Sequence, residues 1–80
     1  MNLICIEFPE VIDVRCVHTG KVWTVNQENP IRVPDGDYEI SCRGMRLDFM
    51  QGGKFPGFMS NPVRLRDGDT FTIRNIKYAK

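Results

Sequence analysis

The sequence has almost no net charge. Its 11 lysines and arginines face 10 aspartates and glutamates, for a formal net charge of +1. That balance excludes binding driven by bulk charge, such as a histone-like grip on nucleic acid or a polybasic membrane anchor. Long hydrophobic runs are missing too. No stretch approaches the ~20 apolar residues that a membrane helix needs, and Glu7 and Pro9 cut the first apolar run too short for a signal peptide. No membrane partner is expected. Helical periodicity is absent, because seven glycines and five prolines interrupt every window long enough for a helix. The three cysteines, Cys5, Cys16 and Cys42, are an odd number that cannot all pair within one chain. Small secreted domains carry even sets at framework spacings, so free thiols and a cytoplasmic location are the expectation.

What is present suits one small β domain spanning residues 1–80. At 9.2 kDa, with 41% hydrophobic and 26% charged residues, the composition is that of a folded globule and not of a disordered chain. A chain of this size buries only about 60–65% of the surface it exposes when unfolded. Self-association is a common remedy for so thin a core.

Residues 2–8 are short, apolar and β-branched, as in a buried strand. In Val11 to His18 the even positions Ile12, Val14, Cys16 and His18 share one face. Thr19-Gly20 supplies a turn, and Lys21 to Asn26 leaves as the second arm of a hairpin. Gly44 to Met50 alternates as a further strand, with Met45, Leu47 and Phe49 on one face. The segment from Gln51 to Ser60 breaks every pattern.

The most specific feature is an internal echo. Asn29-Pro30-Ile31-Arg32-Val33-Pro34-Asp35-Gly36-Asp37 recurs as Asn61-Pro62-Val63-Arg64-Leu65-Arg66-Asp67-Gly68-Asp69. Each copy reads as a short strand, a tight Asp-Gly turn and a longer strand. After Asp37 the apolar residues are Tyr38, Ile40 and Cys42; after Asp69 they are Phe71 and Ile73. That change of phase sends the second set to the opposite face, so the exit strands differ by a bulge or face the core differently. The echo therefore reflects reused turn chemistry. The expected fold is all-β, a small Greek-key-like β-sandwich or partly open barrel of six to eight short strands.

Residues Pro34 to Ile40, together with Thr19-Gly20-Lys21-Val22, resemble the carboxypeptidase-regulatory-like or transthyretin-like sandwich domains, in which a Thr-Gly hairpin precedes a Gly-x-Tyr strand. The resemblance covers about a third of the chain and implies a Greek-key sandwich. It carries over no functional residue.

No catalytic constellation stands out. His18 is the only histidine and no nucleophile motif accompanies it. Cys16-x-His18, with Cys5 and Cys42, lacks the paired ligand spacing of zinc sites. The Asp-Gly-Asp turns lack the oxygen ladder and terminal Glu of a calcium loop. The expectation is a non-enzymatic protein with no metal and no cofactor.

Function is expected in residues 49–59, where Phe49, Met50, Phe55, Phe58 and Met59 sit among glycines and a proline. Met and Phe in a mobile loop are favoured at binding surfaces. Arg46, Phe49, Met50, Lys54, Phe55, Phe58 and Met59 are the predicted partner-binding residues, with the aromatics as anchors. The alternative is that the segment folds back and caps the core. The expected role is a small intracellular binding, accessory or inhibitor protein acting on a protein partner. Its size suits a product of a small mobile genome, such as a phage. Two other readings stand beside it: a structural subunit that forms homo-oligomers through strand edges, and a less favoured nucleic-acid-binding β-barrel. The latter would use Trp23, Phe49, Phe55 and Phe58 for stacking and Arg15, Arg43, Arg46 and Lys54 for phosphates.

Overall fold

Alternation of apolar and polar residues becomes strand after strand. The computed structural model describes residues 1–52 and 58–78. Its strands are β1 (Asn2–Ile6), β2 (Ile12–Cys16), β3 (Val22–Val25), β4 (Ile31–Val33), β5 (Gly36–Cys42), β6 (Met45–Gly52), β7 (Phe58–Ser60), β8 (Val63–Leu65) and β9 (Thr70–Tyr78). No helix occurs among the described residues. The fold is all-β, as expected.

The strands follow one path, β3-β2-β5-β6-β9-β1-β4, with β8 beside β5 and β7 beside β6. Seven strands lie on that path, within the expected six to eight, and the two short strands flank it. Neighbours pair antiparallel except β1 and β9, which run parallel from Leu3↔Thr70 to Ile6↔Ile73. One sheet holds β3, β2 and β5; the other holds β4, β1, β9 and β6. β6 joins them: Met45 and Arg46 pair with β5, and from Leu47 onward the strand pairs with β9.

The core lies between the sheets. Ile4 and Ile6 from β1, Ile12 and Val14 from β2, Tyr38 and Ile40 from β5, Leu47 from β6, and Phe71 and Ile73 from β9 are all buried there. Each fully buried side chain of this kind contributes about 1.5–3 kcal/mol. The phase difference between the echo's exit strands holds. Tyr38, Ile40 and Cys42 face inward from one sheet, and Phe71 and Ile73 face inward from the other.

Three local expectations are corrected. First, the echo's two turns differ. Asp67 and Gly68 both take positive φ (63° and 73°), the tight turn expected. Gly36 takes no positive φ and already lies in β5, opposite Leu65. Pro34-Asp35 carries the chain from β4 in one sheet to β5 in the other, a crossing and not a hairpin. Second, His18 does not share the face of Ile12, Val14 and Cys16. β2 ends at Cys16, and Gly20 (φ 76°) and Lys21 together oppose Cys16, which lifts His18 into an exposed turn. Third, Met45 is half exposed while Leu47 is fully buried. The alternation fails because β6 changes sheets between them and bulges between Leu47 and Phe49. Arg43 (φ 54°) and Gly44 (φ 77°) make the two-residue hairpin turn before it.

Candidate functional site

The backbone carries five of the seven predicted binding residues on a pair of antiparallel strands. Arg46, Phe49 and Met50 lie on β6, and Phe58 and Met59 lie on β7. The register sets Phe49 opposite Ser60, Met50 opposite Met59 and Gln51 opposite Phe58. Strand pairing thus extends into the segment that breaks the sequence pattern. The side chains of these five residues, and Lys54 and Phe55 altogether, lie outside the described residues.

A second site emerges from the topology. The path ends at β3 and β4, and these two strands do not pair with each other. They are joined by the turn Asn26–Asn29, closed by an Asn29 N–H to Asn26 carbonyl bond of 3.1 Å and a single bridge. Beyond that bridge the two edges part. The barrel is left with an open seam.

The seam widens into a hollow of about 600 Å³ lined by Met1, Cys16, His18, Thr19, Lys21, Trp23, Arg32, Pro34 and Asp35. Trp23 stands edge-on to Tyr38, with ring centroids 5.9 Å apart at 63°. The Lys21 ammonium sits 4.9 Å from the centre of the Trp23 ring, a cation–π contact. Neither Lys21 nor Arg32 forms an ion pair with a carboxylate among the described residues. Among the described residues Asp35 is the one carboxylate lining the hollow, against Lys21 and Arg32, and it accepts a 2.9 Å hydrogen bond from the Asn2 amide. The hollow is therefore apolar at its floor and basic at its rim.

Titratable groups around it are shifted. Hydrogen bonds from the Thr19 hydroxyl and backbone lower the Cys16 thiol pKa, against the opposing effect of burial. Burial pushes the Tyr38 hydroxyl up, helped by Cys16 and Asp35. That hydroxyl donates to the Pro34 carbonyl and so ties β5 to the crossing segment.

Beside the seam lies a smaller open hollow bordered by His18, Asp35, Gly36, Asp37, Arg64, Leu65 and Arg66. Asp37 accepts from Arg64 Nε at 3.0 Å and lies 3.3 Å from His18 Nε2. The Arg64 hydrogen bond holds its carboxyl below the usual carboxylate range, with a further contribution from His18.

Two asparagines knit the site together. Asn2 is fully buried. Its Nδ2 donates to the Asp35 carboxylate at 2.9 Å and the Val33 carbonyl at 3.3 Å, and its Oδ1 accepts from the Asp69 N–H at 2.9 Å. One side chain thus bridges both copies of the echo. Asn61, two residues before β8, accepts from the Ile40 N–H at 2.8 Å and donates to the Ile40 carbonyl at 2.9 Å and to the Leu47 carbonyl. It fills the gap on β5 between its pairings with β8 and β6.

Among the described residues, no three of His, Cys, Asp and Glu gather closely enough to share a metal ion. The sequence reading missed the seam. Lys21 and Trp23 were visible as alternate strand residues, but nothing local marks their strand as unpaired. Compared with known proteins, the chain matches no family model, no curated protein and no solved structure.

Proposed function

We propose that this chain is a non-enzymatic binding protein that acts by surface complementarity on a protein partner, as an accessory or inhibitor. The observation that supports this reading is the unclosed barrel, whose two end strands β3 and β4 leave backbone groups without a neighbouring strand among the described residues. Unpaired edges are templates for pairing with another chain. Cys5, Cys16 and Cys42 form no disulfide, which fits a reducing compartment such as the cytoplasm.

Two surfaces compete for the partner: the β6–β7 hairpin with its Phe and Met residues, and the seam. The tagged chain is captured from its own cells, and the captured protein is purified and recombined with it. The reading predicts a stoichiometric complex. Loss of that complex in folded Phe55→Ala and Phe58→Ala variants assigns it to the hairpin; loss in Val22→Asp assigns it to the seam. If the two Phe variants unfold, the hairpin is part of the core. If no purified protein forms a complex with the chain, the reading is wrong.

Self-association is the second reading, favoured by Val22, which stands on the β3 edge and is 55% exposed. Sedimentation equilibrium checks it. A monomer at high concentration eliminates it, whereas a dimer abolished by Val22→Asp supports it.

A further inference from the structure

We infer that the seam between β3 and β4 is a docking site for an extended acidic peptide segment, which adds to the edge of β3 and lays its apolar side chains into the hollow. This rests on the reading of the chain as a protein-binding module and names the chemistry of the partner.

The backbone groups available can be read from the register. The Cys16 N–H donates to the Lys21 carbonyl at 2.9 Å. Because bonding alternates along an antiparallel pair, Lys21, Trp23 and Val25 face β2, and the N–H and C=O groups of Val22 and Thr24 face the open side. On the other wall, the Leu3 N–H donates to the Asp69 carbonyl at 2.8 Å, which turns Leu3 toward β9. Arg32, opposite Leu3, therefore directs its own backbone groups away from β1 and into the seam. Two donor–acceptor pairs on β3 are spaced to receive alternate residues of an incoming strand.

The side chains select among such strands. The floor offers Trp23 and Pro34 to apolar groups, while Lys21 and Arg32 stand at the rim without carboxylate partners among the described residues. Asp35, tied to Asn2 by a hydrogen bond, offsets one of these two charges and leaves the rim basic by the other. A segment alternating apolar and acidic residues matches both features: its inward apolar side chains meet the floor beside Trp23, its outward carboxylates meet Arg32, which faces outward between Ile31 and Val33, and Lys21 adds positive charge from the face of Trp23. A nucleic-acid strand matches less well. It offers no strand-like donors to the β3 edge, and Lys21 already covers the Trp23 ring.

The probe is a short labelled peptide of alternating valine and glutamate, titrated into the full chain by fluorescence anisotropy and by amide NMR. Saturable binding is expected, with shifts centred on Val22, Thr24 and Arg32 and affinity that falls as salt rises. Arg32→Glu and Lys21→Glu each weaken it about tenfold while leaving the amide spectrum dispersed. A valine–lysine peptide, and a version with proline in place of the glutamates, do not bind. Equal binding of the lysine peptide, shifts centred elsewhere, or no binding by the glutamate peptide overturns the proposal. So does tighter binding of a thymidine oligonucleotide at the same residues. The cellular complex separates this failure from that of the broader reading. A complex that survives Arg32→Glu and Val22→Pro leaves the chain a binding protein whose site is elsewhere.

Discussion

Asn2 shows how much one polar side chain can decide in a small domain. Its buried amide meets a carbonyl, a carboxylate and a backbone N–H. Asn2→Ala leaves these groups without partners, and a cost of about 2–3 kcal/mol is expected in urea denaturation. Nothing in the sequence marks Asn2, because its three partners lie in two segments far along the chain. Asp37 gives a pH prediction. Its pKa is lowered in the folded state, so the stabilisation it brings is present above the ordinary carboxylate range and is lost as pH falls through the depressed value. Arg64→Ala should move that loss upward toward the ordinary range, as followed by carboxyl NMR titration. Cys16 is tuned in the same way. Thr19→Val removes the hydroxyl that most lowers its pKa, so the thiol pKa should rise and alkylation near neutral pH should slow. An unchanged rate profile would show that Thr19 does not tune the thiol.

The strands divide into those that local pattern specifies and those that it does not. β1 was plain as a short β-branched apolar run and β2 from alternation, and each buries every second residue, as in Ile12, Val14 and Cys16. The β2–β3 hairpin was plain from Gly20, whose positive φ the turn requires. β6 was only partly legible, because a strand that crosses between sheets changes the face it buries. The echo likewise shows the change of face in its residues but not the reason. Its first copy crosses from the second sheet to the first, and its second copy crosses back. β5 is paired along one side by β8 and then β6, and Asn61 covers the break between them. Asn61→Ala should therefore cost about 2–3 kcal/mol and speed hydrogen exchange at the Ile40 amide. If Ile40 stays protected, the two flanking strands hold β5 without the side chain.

The whole molecule is a β path that nearly closes on itself. β1 and β9 lie between other strands and bury Ile4, Ile6, Phe71 and Ile73, whereas β3 and β4 each lack one neighbour. Amide exchange should follow that division: slow at the centre of β1, fast at Val22, Thr24 and Arg32, and slowed there when an acidic peptide binds. Fast exchange across β1 would contradict the topology. A domain of this size has little apolar surface to spare, so a seam floored by the partly buried Trp23 leaves burial for a partner to complete. The near-neutral charge that excludes bulk electrostatic binding is compatible with a basic rim, because Lys21 and Arg32 lie together while the acidic residues are dispersed or engaged. The all-β class, the β2–β3 hairpin and the change of phase between the two exit strands are legible in the chain alone. Each of these depends on residues close in the chain, through alternation and turn geometry. Only the tertiary structure decided the parallel pairing of β1 with β9, the role of Asn2 and the open seam. Those depend on which distant segments meet, and no local pattern carries that information.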